Sequence, residues 1–451
     1  MFVNLNQLKK LYLNAPTWMQ KLYTSIPYEI RNGTEYRRWK HFLAEEINQD
    51  EYTLLKLKET IFYAYENTKY YKSVFDRIGI SPYDIHTSKD IETIPYLTKE
   101  IIRENFDDLL VPHYSKRKRF YVKTGGTTGY PQTFYQSKNV WQKEQAFVQD
   151  FFSKFQYTPK VLKAIFMGGD FKLSNENDFF RKSYMNNAIH FSPLHLSVKS
   201  VSRYVEILNH YKPTFFHSYP SSLLFLIRNM IEQNLQLDYQ IKTIFLVSEG
   251  YEEKDIQIIK GFFNCTIASF YGHTERIIFA TSMDQNLKSY RIDKRYGNFE
   301  LIDNNNHPIE TEDIQGTIVG TSFDNFAMPL IRYKTDDMAT YFDYDGGVIS
   351  KIESLRNQVY VDGKDGLQIA ITSFPIAQTS KNIHLWQIIQ KKPGEIELLI
   401  VPKIGFSQTD KMYITSVLEK KFKGNLNYKI VLANKPYLTP QGKKSKLIKR
   451  Y

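Results

Sequence analysis

The sequence predicts an α/β protein: a large N-terminal domain of mixed, mostly parallel sheets with a β-rich subdomain, then a small mobile α+β domain. Three features of the 451-residue chain indicate this architecture. Helical periodicity dominates the first hundred or so residues, strand-like and helical segments alternate from about 160 to 270, and strand-like segments dominate after about 290. The alternation of strands and helices is typical of βαβ units, which build parallel sheets.

The N-terminal region is predicted to be mainly helical. Between Asp50 and Asn67, apolar side chains recur every three or four residues, which is the spacing of one helix face. A second helical pattern begins after Thr98, whose hydroxyl suits an N-cap position. The first domain therefore begins with helices rather than with strands.

The central region is predicted to alternate between strands and helices. The predicted strands are 161–167, 214–217, 242–247 and 265–270, and the predicted helices are 197–209, 221–233 and 252–262. Farther along, strands at 298–302 and 317–322 indicate the β-rich subdomain. A helix at 409–421 and a strand at 428–432 indicate the small α+β unit. The pattern places the domain boundary between residues 353 and 354, giving domains of 1–353 and 354–451.

Composition and charge limit the classes of function. The formal net charge of +12 favours anionic partners such as nucleotides, but the basic residues are scattered, and we expect no specific nucleic-acid contact. The single cysteine, Cys265, excludes an internal disulfide and a cysteine-rich zinc site. No window approaches the roughly 20 apolar residues of a transmembrane segment, so we expect a cytoplasmic protein. The aromatic, basic segment 18–39 also suits a peripheral membrane contact.

A segment rich in glycine and threonine is the sharpest functional signal. It lies between the predicted strands 119–123 and 132–136 and reads TGGTTGYP at 124–131. Its glycines leave backbone N–H groups accessible and its threonines add hydroxyls, so the loop can surround phosphate oxygens. It is not a Walker loop, because no Gly-Lys-Ser/Thr follows. Taken alone, the segment fits a polar hairpin turn equally well.

Three further motifs carry groups suited to nucleotide chemistry. In the sequence YGHTE at 271–275, Tyr271 can stack on a base, Thr274 can reach a phosphate and Glu275 offers a hard oxygen ligand for magnesium. In RYKTDD at 332–337, Asp337 can accept hydrogen bonds from both hydroxyls of a ribose. In the sequence at 438–446, a glycine turn presents Lys443, which can neutralise developing charge. Each motif alone also fits a turn or a basic tail.

In this order, the four motifs resemble the signature of the acyl-adenylate-forming (ANL) superfamily. That signature is a Thr/Ser/Gly loop, Tyr-Gly-x-Thr-Glu, Tyr-x-Thr-Gly-Asp and a Gly-Lys near the C-terminus. The resemblance extends from about residue 90 to residue 447. The helical start, the motif Ser248-Glu249-Gly250 and the overall length are most similar to the phenylacetate–CoA ligase family, and within it to the branch of capsular-polysaccharide-biosynthesis proteins.

The resemblance implies an enzyme that uses ATP and Mg²⁺ to convert a carboxylic acid into an acyl-adenylate with release of pyrophosphate. It implies that residues 1–353 bind ATP and the acid, and that residues 354–451 form a lid hinged near Arg356. Thr274 and Glu275 would hold the α-phosphate and the metal, and Lys443 would bridge the carboxylate and the α-phosphate. The remaining nucleotide contacts that it implies are Thr124, Gly125, Gly126, Thr127, Thr128 and Gly129 at the phosphates, Ser248, Glu249, Gly250, Tyr271 and Gly272 around the adenine, and Asp337 at the ribose.

The acid and the acyl acceptor are less closely defined. We expect the substrate acid to bind between residues 217–220 and the strand end at Tyr271. His217, Tyr219 and His273 are the candidate residues that contact it. His217 and His273 are also compatible with a structural position in the core or in a turn, which is commoner for histidine than a contact with substrate. The acceptor is coenzyme A, a carrier thiol, or an amino sugar of a surface-polysaccharide precursor, and the sequence leaves these alternatives open.

Three positions depart from the family pattern. Tyr130 stands where many relatives have a lysine, Asp336 stands where the family has glycine, and the segment 354–358 lacks the usual Arg-x-Asp of the hinge. The second departure leaves open whether Asp336 or Asp337 meets the ribose. The first two departures, Tyr130 and Asp336, are the support for an alternative function: a non-catalytic nucleotide-binding or scaffold protein that retains the adenylating fold.

Overall fold

The structure is a computed structural model. It describes residues 15–123, 132–167, 171, 175, 177–197, 199–350, 352–354, 360–364, 366–370, 382–403, 405–422, 424–434, 437 and 447–450. The loop 124–131, Arg356 and Lys443 lie outside the described residues. The roles expected of them therefore stay predictions.

The chain begins with helices, as predicted. They are α1 (Thr17–Thr24), α2 (Tyr28–Arg31), α3 (Gly33–Leu43), α4 (Gln49–Asn67), α5 (Lys69–Ile78), α6 (Lys99–Glu104) and α7 (Phe106–Leu109), with short 3₁₀ turns at Pro82–Asp84 and Ser88–Thr93. The side chain of Asn48 caps α4 by accepting from the N–H groups of Asp50 and Glu51. Thr98 caps α6, because its hydroxyl accepts from the N–H of Ile101, which confirms the predicted cap.

The predicted phosphate loop lies, in the sequence, between two strands that pair with each other as a β-hairpin. Its strands are β1 (Arg119–Lys123) and β2 (Thr133–Ser137), which pair antiparallel with Lys123 opposite Thr133. Helix α8 (Lys138–Ser153) follows directly. Both predicted strands are therefore confirmed, the second shifted by one residue.

The described strands between residues 163 and 354 form one large sheet, separate from the hairpin of β1 and β2. Its parallel part runs in the order β8 (Thr266–Gly272), β7 (Thr243–Leu246), β6 (Phe215–Ser218), β3 (Lys163–Phe166) and β5 (Ala188–Phe191), with β4 (Phe180–Ser183) antiparallel at the edge. Three helices alternate with these strands: α9 (Val201–Tyr211), α10 (Pro220–Glu232) and α11 (Glu253–Phe263). The α/β class and the predicted βαβ order are confirmed; β4 and β5 were not predicted.

The β-rich region extends the same sheet instead of forming a separate one. Its strands are β9 (Phe279–Ser282), β10 (Ser289–Ile292), β11 (Gly297–Ile302), β12 (Gln315–Ser322), β13 (Tyr333–Asp343), β14 (Val348–Ser350) and β15 (Glu353–Ser354). They join β8 through the order β11-β12-β13-β14-β10-β9, and β15 pairs with β13. The 11-residue strand β13 contains residues 333–337, which belong to the motif that, taken alone, also fitted a turn.

The C-terminal part is an α+β unit, as predicted. A four-stranded sheet runs in the order β20 (Asn427–Leu432), β19 (Glu395–Pro402), β18 (Ile383–Lys392) and β21 (Leu447–Lys449), and α12 (Gln408–Phe422) joins β19 to β20. A separate pair consists of β16 (Tyr360–Asp362) and β17 (Gln368–Ala370). Val361 and Leu367 share a buried apolar cluster with Leu223, so the β16–β17 pair packs against α10.

Two layers of helices cover the parallel strands. Phe147, Phe151 and Phe152 of α8 pack on one face together with Phe245 of β7, while α9, α10 and α11 pack on the other. The strands are therefore buried on both sides, as is typical of parallel sheets. None of the helices in the described ranges combines the length and the apolar character needed to cross a membrane.

Candidate active site

The end of β8 meets the middle of β13 at a hydrogen bond between two predicted site residues. The hydroxyl of Tyr271 donates to Oδ2 of Asp337 over 2.8 Å, although the two residues are 66 positions apart. Burial, followed by the neighbouring Asp337 carboxylate, raises the pKa of Tyr271 well above its usual value. Tyr271 therefore stays protonated near neutral pH and acts as the donor.

The backbone around Asp337 is irregular, and this irregularity selects which aspartate faces Tyr271. The pairing of β12 with β13 shifts register between Thr317 and Val319, opposite this stretch. Asp336 has a φ of 65°, a left-handed conformation that glycine adopts freely and aspartate tolerates. Its carboxylate is ion-paired with Lys99 of α6. Asp336 therefore has a backbone conformation that glycine adopts freely, while Asp337 is the residue bonded to Tyr271.

Hydrogen bonds hold the backbone at Asp337. Its N–H donates to the hydroxyl of Thr335 over 3.1 Å, and that hydroxyl donates to the carbonyl of Ile318 over 3.0 Å. Oδ1 of Asp337 makes no hydrogen bond within the described part of the chain. One carboxylate oxygen is thus positioned by protein while the other is open to a ligand hydroxyl.

Glu275 is a buried carboxylate held by one tyrosine. Its side chain is 2% exposed, and Oε1 accepts from the hydroxyl of Tyr333, the first residue of β13, over 3.0 Å. Among the residues that the structure describes, none donates to Oε2. A hard carboxylate oxygen without a donor suits Mg²⁺, which commonly takes one or two carboxylates together with substrate phosphates. Glu275 therefore fits the expected metal, and Tyr333 is a supporting residue that the sequence analysis did not single out.

The hairpin that carries the predicted phosphate loop is attached to the same place. The buried side chain of Gln136, on β2, donates from Nε2 to the carbonyl of Thr274 over 2.7 Å. Thr274 itself is exposed. Because β2 begins directly after the loop, this bond ties the strand that leaves the loop to the segment that carries Glu275. No sequence signal marked Gln136.

Helix α8 supports the same segment from its other end. Nη1 of Arg276 lies 3.3 Å from Oε1 of Glu144, and its guanidinium lies over the ring of Trp141 at 4.5 Å. Tyr296 donates to the other oxygen of Glu144. Arg276 has a left-handed φ of 54°, which indicates a tight turn directly after Glu275. These residues are far apart in the sequence, which therefore gave no indication of this contact.

The motif Ser248-Glu249-Gly250 lies at the end of β7. Oε2 of Glu249 accepts from the N–H of Ser221 over 3.1 Å, at the start of α10, and the carboxylate also accepts from Tyr360 of the C-terminal unit. Burial is the largest cause of a raised pKa for Glu249. Ser248 and Gly250 are exposed beside it. This motif therefore connects the large sheet with the C-terminal unit.

His217 lies on the opposite face of the sheet from Tyr271. Its ring packs against Phe152 at 5.4 Å and Phe270 at 6.4 Å, and Phe270 and Tyr271 project from alternate faces of β8. Burial, with a smaller effect of Lys163, lowers the pKa of His217 to about 3. Nε2 of this neutral ring has no hydrogen-bond partner in the described part of the chain. His217 is thus among aromatic side chains and not beside Asp337.

The other two candidate substrate residues lie at strand ends. Tyr219 precedes α10 and donates its N–H to the carbonyl of Phe166 over 3.1 Å. The ring of His273 lies 5.5 Å from that of Tyr271. The structure thus brings Tyr271, His273, Glu275 and Asp337 close together in space, and it places His217 apart from them.

The chain is similar to known proteins along its whole length and in this fold. It is 25% identical to protein CapK of Staphylococcus aureus over 462 aligned positions, which cover 97% of this chain and 98% of CapK. It is 35% identical over 92 residues to phenylacetate–coenzyme A ligase of Aromatoleum evansii, which is 19% of this chain and 20% of that ligase. The corresponding ligase of Escherichia coli K12 is 37% identical over 78 residues, 17% of each chain. No family model matches the chain.

Solved structures share the fold. 2-Hydroxyisobutyryl-CoA ligase, in complex with 2-HIB-AMP and CoA in its thioesterification state, superposes with a TM-score of 0.61 at 16% identity over 89% of each chain. The ligases among these relatives and the shared fold together support a ligase enzyme. Within that class, the chain is similar along its whole length to CapK and over shorter segments to phenylacetate–coenzyme A ligases.

Proposed function

We propose that the protein uses ATP and Mg²⁺ to activate a carboxylic acid as an acyl-adenylate, releases pyrophosphate, and then transfers the acyl group to an acceptor. The observation that carries this proposal is the convergence of Tyr271, Glu275 and Asp337 at one end of β8. Residues widely separated in sequence meet there with two carboxylate oxygens left open to ligands. A turn with a purely structural role does not require carboxylates to be brought together in this way.

The proposed roles follow from the charges in this site. Asp337 accepts a ribose hydroxyl through Oδ1, while Tyr271 holds Oδ2. Glu275 would hold Mg²⁺, which would offset negative charge on the phosphates. The N–H groups of the loop 124–131 surround the remaining phosphate oxygens, and Lys443 offsets the repulsion between the acid and the α-phosphate. Ser248, Glu249 and Gly250 line the adenine, and His273 and Tyr219 approach the acid.

The reaction needs a site that closes and then admits a second substrate. We propose that the unit after residue 353 supplies Lys443 for adenylation and then moves about a hinge near Arg356. The bond between Tyr360 and Glu249 supports a direct link between this unit and the adenine region. Because the reaction consumes ATP, we place the protein in the cytoplasm.

We propose coenzyme A as the acceptor, since the two ligases named above form coenzyme A thioesters according to their names. A carrier thiol or an amino sugar of a surface-polysaccharide precursor is the second candidate. It is supported by the full-length similarity, which is to CapK and not to either ligase. The first candidate yields a thioester and the second, with an amino sugar, an amide or ester.

Pyrophosphate release over a panel of aromatic, aliphatic and hydroxylated acids tests the first half-reaction. We expect release with at least one acid, dependence on Mg²⁺, and loss upon chelation. Lys443→Ala lowers the rate by orders of magnitude while ATP binding persists, and Lys444→Ala is the matched control. Mass spectrometry with coenzyme A or amino sugars then identifies the acceptor product. If no acid releases pyrophosphate while ATP still binds, the non-catalytic alternative replaces this proposal.

A further inference from the structure

The first two helices carry apolar side chains that are exposed in the described part of the chain. Neither α1 nor α2 contains a buried residue. The exposed fractions are 66% for Trp18, 65% for Leu22, 40% for Ile26 and 56% for Ile30. These four residues are named here the N-terminal patch. Clustered exposed apolar side chains mark interaction surfaces more often than single ones do.

The patch has the spacing of one helix face at its start. Trp18 and Leu22 are four residues apart on α1, so they project from the same side of the helix. Met19, which is also exposed, lies beside them. Lys21 lies at the flank of this face, one turn from Trp18. An apolar face that contains tryptophan and is bordered by lysine is the composition of helices that lie in a membrane interface.

The surroundings of the patch are basic. Lys21 and Lys182 of β4 approach the ring of Tyr184 from 5.8 and 5.5 Å, so strand β4 contributes a second lysine beside α1. Arg31 joins them by donating to the carbonyl of Met185 over 2.7 Å. Residues 15–41 contain five lysines and arginines against two glutamates. These two glutamates, Glu29 and Glu35, are each ion-paired with a neighbouring base.

We propose that the N-terminal patch docks the protein on an anionic membrane surface. Trp18 and Leu22 enter the interface, and Lys21 and Lys182 face the lipid phosphates. The charge favours this occupant over a second copy of the chain, because a symmetric contact would bring two basic surfaces together, whereas an anionic surface attracts them. The inference does not depend on the proposed ligase reaction.

Sedimentation of the full chain with vesicles tests the docking. We expect binding to phosphatidylglycerol/phosphatidylcholine vesicles, weaker binding to pure phosphatidylcholine, and a decrease with salt. The double variant Trp18→Ser/Leu22→Ser loses about tenfold or more in binding, because both interfacial anchors are removed. Lys21→Glu/Lys182→Glu loses binding to anionic vesicles only. The control is Met412→Ser/Tyr413→Ser on α12, where the side chains are 64% and 54% exposed, and it binds like the wild type.

Three outcomes overturn the proposal. The first is a wild-type chain that stays in the supernatant with anionic vesicles. The second is a change of oligomeric state in Trp18→Ser/Leu22→Ser during size-exclusion chromatography, which identifies the patch as a contact between copies. The third is a fall in the melting temperature of that variant relative to the Met412→Ser/Tyr413→Ser control, which identifies a segment of the chain itself as the cover.

Discussion

Tyr333→Phe tests whether Glu275 works as a positioned carboxylate. The substitution removes one oxygen and leaves the ring, which lies in a fully buried position at the start of β13. It deletes the 3.0 Å hydrogen bond from the hydroxyl to Oε1 of Glu275. The buried aromatic ring is retained, so the variant tests the role of the hydroxyl that faces Glu275.

The size of the effect follows from the charge and burial of the pair. A hydrogen bond to a charged group contributes about 1.5–3 kcal/mol. Each 1.4 kcal/mol corresponds to about tenfold in rate or affinity. If Glu275 holds the metal, the variant therefore loses roughly 10- to 100-fold in kcat/KM for MgATP. Because orientation of the carboxylate is what is lost, the Mg²⁺ concentration needed for half-maximal rate rises.

The assay is pyrophosphate release at fixed acid and ATP over a series of Mg²⁺ concentrations. Tyr341→Phe is the matched control, since Tyr341 is also buried on β13 and its hydroxyl bonds to no described residue. We expect Tyr341→Phe to titrate with Mg²⁺ like the wild type. A Tyr333→Phe enzyme with an unchanged Mg²⁺ dependence, and a melting temperature equal to that of the control, would refute the role given to Glu275.

Three further predictions concern stability. Lys143→Met leaves Asp324 buried without its cation, because the two form a fully buried ion pair; denaturant titration should find the free energy of unfolding lower by about 3–5 kcal/mol. Lys163→Met should stabilise the protein near pH 7, because burial lowers the pKa of Lys163 from 10.5 to about 8. The folded wild type binds fewer protons than the unfolded chain between these values, so it gains stability as the pH rises through them. The advantage of the variant, at most about 3 kcal/mol, should thus disappear by about pH 10.5; a constant advantage at all pH values contradicts the assignment. For Glu249→Gln, the change of stability with pH has the opposite sign, because burial raises the pKa of Glu249. The folded wild type binds the proton of Glu249 more firmly than the unfolded chain does, so it loses stability as the pH rises through the raised pKa. The melting temperature of Glu249→Gln should therefore exceed that of the wild type by a margin that grows with pH and then levels off.

Much of the α/β fold could be predicted because local patterns determine its elements. Alternating strands and helices between about 160 and 270 matched the observed segments within a few residues, since burial on both faces produces continuous apolar strands. β4 was missed because its central residues, Arg181 and Lys182, are exposed at the sheet edge and lack an apolar pattern. β13 was missed because the polar residues 334–337 interrupt its alternation.

The amino-acid sequence by itself determined the order of the motifs, and with it the class of reaction to be considered. The order of the motifs indicates a class of reaction because Tyr271, Glu275 and Asp337 are residue types with particular chemistry, and each occupies the position along the chain where that chemistry is expected. Tertiary structure alone decided that Asp337 and not Asp336 bonds to Tyr271, and that Tyr333 holds Glu275. It also decided that His217 faces away from that site. These outcomes depend on strand register and on a left-handed residue in β13, which are set by pairing between distant strands and not by neighbours in the sequence.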